Sequence, residues 1–194
     1  MNTRTWLDDG NRRLLDAIDA LSDEEFAAPC ALPDWTRAHL VAHLHLNAEA
    51  LSRLVSWART GNRTPMYSGQ DQRNADIEEY SRRPPAELRA LVRGSAETLA
   101  RDFDALPADR WEREVETAQG RAVAATEIPW MRTREVAVHA VDLATGITFD
   151  DLPGDLLRAL TIDVVNRRFS LGEGPALAAW ITGRAGPPDL GPWL

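Results

Sequence analysis

Only one cysteine, Cys30, occurs among the 194 residues. An internal disulfide is therefore impossible, and so is a zinc cluster built on several thiolates. The plainest role for Cys30 is that of a small, semi-buried loop residue. The chain also lacks any run of about 18 apolar residues, so no helix is expected to span a bilayer. Asp8 and Asp9 stand where a secretory signal would need an unbroken apolar segment. Positive charge is scarce too, with 22 basic side chains against 30 acidic ones and a net charge of −8. Phosphate backbones and anionic lipid surfaces both call for concentrated positive charge, so neither nucleic acid nor membrane is an expected partner. A soluble, cytoplasmic protein is the expectation, with the oligomeric state left open.

What the chain has is a helical pattern. Hydrophobic residues make up 44% and charged residues 27%, enough for one buried core with a solvated surface, and for at most a short appendage. Leu7, Leu14, Leu15, Ile18 and Leu21 mark a first helix. A connection through Ser22 to Asp34 leads to a second, long helix from about Thr36 to Thr60, with Asp34 or Thr36 as N-cap and Gly61 as its stop. Residues 61–83 read as a polar, irregular stretch, long enough to be a lid or substrate-binding loop. A third helix follows Pro84-Pro85 and runs to about Leu106. Alternation at Val115, Thr117 and Val123 around Gly120 suggests a small hairpin. A fourth helix spans Pro129 to about Thr145, with Gly146 after it. Helical stretches near Leu152–Phe169 and Pro175–Thr182 precede a Pro/Gly-rich tail. The fold class expected is mainly all-α, a four-helix bundle over residues 1–150 with a short C-terminal helical extension over 151–194.

The four histidines are at 39, 43, 45 and 139. At 100° per residue His43 falls on the stripe of Leu40, Asn47, Ala50 and Leu54, the buried face of the second helix. His39 flanks that stripe, and His45 is expected to face water. On the fourth helix Glu135 and His139 lie four residues apart and project from one face. Glu135 sits in an apolar stretch, where an ionised carboxylate needs a partner. A divalent cation would be one, and three ligands from His43, Glu135 and His139 would leave the open position of a catalytic zinc site. Spacing alone fits other readings equally: an ordinary hydrogen-bonded pair at Glu135 and His139, and a satisfied core histidine at 43. Nor does periodicity bring the second and fourth helices together.

Longer motifs supply that link. The segment from Leu32-Pro33-Asp34-Trp35-Thr36 through His39 and His43 to Asn47-Ala48 resembles the mycothiol-dependent maleylpyruvate isomerase family, within the DinB-like metalloprotein superfamily. So does Pro129-Trp130-Met131-Arg132-Thr133-Arg134-Glu135-Val136-Ala137-Val138-His139, followed by Asp142-Leu143. Ala179-Trp180-Ile181-Thr182-Gly183-Arg184 is a third, weaker match. The resemblance implies a DinB-like bundle with a metal on His43, Glu135 and His139, and His39 as a neighbour or helix-start residue. It also implies a low-molecular-weight thiol, mycothiol, as cosubstrate. Asp142 would orient a ligand imidazole or serve the helix end. The family usually has glycine where Asp34 stands, so the entry to the second helix is expected to differ. Fuller members carry a small α/β domain before the arginine that corresponds to Arg184. That domain is reduced here, and Arg184 is the candidate anion-binding residue.

The implied activity is metal-dependent cis–trans isomerisation of a small anionic or electrophilic substrate by reversible thiol addition. With Cys30 as the only cysteine, the thiol would come from the cosubstrate. Arg73, Arg82, Arg132, Arg134 and Arg184 are candidate partners for carboxylates, although arginines are usually solvated. A mycothiol S-transferase, a metal-dependent hydrolase and a non-catalytic ligand-binding protein are the alternatives, since fold does not fix reaction.

Overall fold

The computed structural model describes residues 3–190. Residues 1, 2 and 191–194, and with them the end of the Pro/Gly-rich tail, lie outside it. The chain forms two compact units that divide after Ile147.

In the first unit, α1 (Thr3–Ala20) buries Leu7, Leu14 and Ile18, a stripe at helical spacing. The second helix, α2 (Arg37–Thr60), begins at Thr36, whose hydroxyl caps it, and stops at Gly61 with φ 80°. That left-handed conformation is one glycine adopts without a Cβ clash. After α3 (Gln70–Tyr80) comes α4 (Pro85–Ala105), with proline in its first turn. Strands β1 (Glu114–Glu116) and β2 (Ala122–Ala124) pair antiparallel with Val115 opposite Val123. Both valines are buried, and Gly120 turns the chain between them at φ 76°. The last helix of this unit, α5 (Ile128–Asp142), follows. Contacts of α1 with α4 and α5, and of α2 with α4 and α5, close a four-helix bundle. The mainly helical class and the hairpin are as expected.

Three sequence expectations need correction. Residues 61–83 are not irregular throughout, because α3 occupies half of them. It buries only Ile77, so it carries no apolar stripe to betray it. His45 does not face water; it is 3% exposed. Fifteen of the 24 residues of α2 are buried, because α3, α4 and α5 all pack on it, and a centrally placed helix has no solvent face at that position. Finally, the fourth predicted helix stops at Asp142 rather than Thr145, because Ala144 turns left-handed at φ 56°.

The second unit, Thr148–Leu194, contains α6 (Gly154–Ser170) and α7 (Gly174–Ile181), which pack on each other. Among its described residues there is no strand. None of the described helices is long and apolar enough to cross a membrane.

Candidate metal centre

The start of α2 is fastened to the end of α5. Arg37 donates from Nε to the Leu143 carbonyl at 2.9 Å and from Nη2 to the Ala144 carbonyl at 2.8 Å. In the loop before α2, the Ala31 amide donates to the Asp142 carbonyl at 2.8 Å. At the cap itself, Thr36 Oγ1 lies 2.7 Å from His39 Nδ1, and the Thr36 amide donates to the same nitrogen at 3.3 Å. His39 is thus spent on the helix start and on Glu78, 3.1 Å from its Nε2. His43, one turn further on, is left to point at α5.

There it meets Glu135 and His139. Glu135 Oε2 is 3.0 Å from His43 Nε2 and 3.3 Å from His139 Nε2. The candidate ligand atoms of all three residues lie within 4.8 Å of one another. Both histidines are buried, whereas the Glu135 side chain keeps 16% of its exposure, so the cluster reaches solvent along the carboxylate. Asp142 Oδ2 takes the other nitrogen of His139, Nδ1, at 2.8 Å. Trp35 lies beside His43, with ring centroids 5.7 Å apart.

The electrostatics describe a cluster built around one negative charge. Burial by itself would raise the Glu135 carboxyl, but hydrogen bonds from His139 and His43 hold it well below the usual carboxylate range. Burial opposes the charged form of His139 as well. Its bonds to Asp142 and Glu135 outweigh that and lift its pKa to about 9. His43 moves the other way, lowered chiefly by burial against the pull of Glu135. In the metal-free protein a proton on His139 therefore balances Glu135. Two imidazole nitrogens and a carboxylate oxygen, gathered within 4.8 Å, form a donor set suited to a divalent metal. The orienting carboxylate on the far nitrogen of His139 completes the pattern. These residues fit a divalent metal.

Comparison with known proteins bears on the same stretch. Residues 7–144 match the model of the mycothiol maleylpyruvate isomerase N-terminal domain. The chain belongs to that family. It is also similar to a crystal structure of the mycothiol-dependent maleylpyruvate isomerase, with 40% identity and a TM-score of 0.86. That alignment covers 89% of this chain and 72% of the other. A crystal structure of a histidine-to-alanine mutant of that isomerase matches at 39% identity, with the same TM-score and the same coverage. None of the curated proteins matches significantly. The bundle of this family member is the DinB-like fold expected from its motifs.

Of the five candidate arginines, Arg73 touches the centre, and Arg132 lies within electrostatic reach of Glu135. Arg73, on the first turns of α3, places Nη2 3.2 Å from His43 Nδ1. Its guanidinium lies 5.8 Å from the Tyr67 ring centroid and bonds the Tyr67 side chain. Among the described residues no carboxylate pairs with it. Arg132 is 1% exposed and binds the Leu44 carbonyl and Asn47 Oδ1. Arg82 is tied to Glu78 on the surface at 2.7 Å, and Arg134 is half-buried on α5. Arg184 belongs to the second unit, where it is exposed and donates to the Thr182 carbonyl. Tyr67 carries no sequence signal, because it lies in a largely polar stretch with no helical or alternating periodicity.

Proposed function

We propose that this chain is a metal-dependent enzyme of the maleylpyruvate isomerase type that uses mycothiol, with zinc as its metal. One observation carries the reading: His43, Glu135 and His139 meet within 4.8 Å in a chain 40% identical to a mycothiol-dependent maleylpyruvate isomerase. Two imidazoles and a carboxylate suit zinc and leave a coordination position free. A divalent metal on these residues would supply a Lewis acid that favours thiolate over thiol at neutral pH.

The reaction forms a bond from thiol sulfur to one alkene carbon of a cis-unsaturated oxo acid. The alkene electrons move onto the ketone oxygen as an enolate. Rotation about the former double bond follows. Expulsion of the same thiolate restores the alkene in the trans form, and the thiol is regenerated.

The chain's own residues serve these steps in distinct ways. Cys30 does not supply the sulfur. It is half-buried, its Sγ faces the Leu32 carbonyl at 3.9 Å, and burial pushes its thiol up from the usual range. Arg73, a cation without a carboxylate partner beside His43, holds a substrate carboxylate or the enolate oxygen. Asp142 fixes the His139 ring, and Trp35 walls one side against water.

Arg184 is proposed as a further anion-binding side chain on the strength of the family resemblance. Residues 151–194 are proposed as the reduced counterpart of the family's α/β domain, and the cytoplasm as the setting in which such a thiol is held reduced.

Metal analysis paired with turnover of cis-unsaturated oxo acids, with and without thiol, tests the reading. Metal-dependent and thiol-dependent production of the trans acid is expected. A product that keeps the sulfur attached would mark an S-transferase, and turnover indifferent to thiol would mark a hydrolase.

A further inference from the structure

Among the described residues of the first unit, Arg132 is the one arginine that is fully buried, 1% exposed. It lies three residues before Glu135 on α5, in the seam with α2 that also holds the metal ligands. Its Nη1 has two hydrogens and two acceptors: the carbonyl of Leu44, next in the chain to His43, at 2.9 Å, and Asn47 Oδ1, one turn beyond His43, at 2.8 Å. Its Nε and Nη2 are buried and have no hydrogen-bond partner.

The two unpartnered atoms are not a random pair. In a guanidinium the Nε–H and the Nη2–H lie side by side on one edge and point the same way, the edge that takes both oxygens of a carboxylate. Burying such an edge empty is costly, since each donor has given up water for nothing. Burial lowers the Arg132 pKa to about 10, against the pull of Glu135 and Tyr67. The Nη1 anchors hold the guanidinium plane in one orientation, so the buried, unpartnered edge is preorganised.

We propose that the Nε/Nη2 edge of Arg132 is a carboxylate-binding fork that holds one carboxylate of an anionic ligand whose reacting end lies at the His43–Glu135–His139 centre. The assignment rests on the isomerase-type reading for the ligand's class, a short dicarboxylate, but not on the reaction itself. It separates the labour of two arginines. Arg73 meets the ligand from α3, at the half-exposed side, and Arg132 receives it from the core.

The test uses the full chain, loaded with zinc and labelled with nitrogen-15 at arginine. The Arg132 Nε–H signal is assigned through its own side-chain correlations and followed during titration with maleate, or with the neutral diamide of maleate. Maleate is expected to move that signal saturably downfield while the diamide leaves it in place. Arg132→Lys, which keeps the charge and loses the fork, is expected to weaken maleate binding at least tenfold with zinc content unchanged. The proposal is overturned if maleate does not bind, if it binds while the Arg132 signal stays put (the edge then holds only water), or if Arg132→Lys binds maleate as the parent does. The titration of the unaltered protein decides the matter even where Arg132→Lys fails to fold. Thiol-dependent turnover plays no part in the readout, so a failed isomerase assay and a failed fork are separate results.

Discussion

Single residues already carry tests. Asp34 adopts φ 63° and Ala144 φ 56°, the left-handed region where a side chain strains against its own backbone. The family's usual glycine at position 34 has a physical reason here, and Asp34 is a tolerated substitute, because a short polar side chain bonds locally. Ala144 has no such relief. Ala144→Gly should stabilise the protein by about 1 kcal/mol and Asp34→Gly by less, read from urea unfolding. Cys30→Ser should leave thiol-dependent turnover unchanged, since a half-buried thiol with a raised pKa is a poor nucleophile at neutral pH.

His139 gives a pH dependence with a definite sign. Its folded-state pKa lies above its ordinary value of 6.5, at about 9. A raised pKa stabilises the protonated folded form, so its contribution is complete below 6.5 and lost as pH rises through about 9. The metal-free protein should therefore lose stability across that interval. The metal-loaded protein, with His139 neutral, should not, and thermal melts of both forms between those limits check it.

At the scale of elements, α1 packs tightly on α5 at Gly10, where an added Cβ would stand 2.7 Å from Val136 Cγ2. Gly10→Ala should cost about 1–3 kcal/mol by overpacking, offset in part by better helix propensity, and it should lower the melting temperature. At the opposite extreme is α3, which buries Ile77 alone. Its amides are expected to exchange with deuterium well before those of α2 and α5. It still delivers Arg73 to the centre. Arg73→Gln should raise KM for an anionic substrate by about tenfold, roughly 1.4 kcal/mol, while metal binding holds or tightens because a like charge is gone.

Helices α1, α2 and α3 mark how far an element can be read from its residues. The stripes of α1 and α2, the Thr36 cap and the Gly61 stop are local, and they stood in the sequence. By contrast, α3 has no stripe, being polar on nearly every side, and so its sequence reads as a loop. His45 departs from periodicity for the opposite reason: a helix packed by three others buries positions that periodicity assigns to water.

At the scale of the whole molecule, the four-helix arrangement of the first unit follows from the count of principal amphipathic helices. What spacing could not supply was that α2 and α5 are neighbours, because Arg37 and Ala31 fasten them through backbone carbonyls that no side-chain pattern records. The family motifs carried that information, and the distances at Glu135 give it physical form. Arg132 is one of five candidate arginines that the sequence does not rank, and Tyr67 has no signal at all, because what distinguishes them lies in contacts made across helices. The central claim is that His43, Glu135 and His139 hold one divalent metal. It is tested most directly by measuring metal bound per chain after reconstitution with zinc and exhaustive dialysis. The parent protein should retain one equivalent, and His43→Ala, Glu135→Gln and His139→Ala should each retain almost none. A folded His43→Ala that keeps its full equivalent would contradict the account.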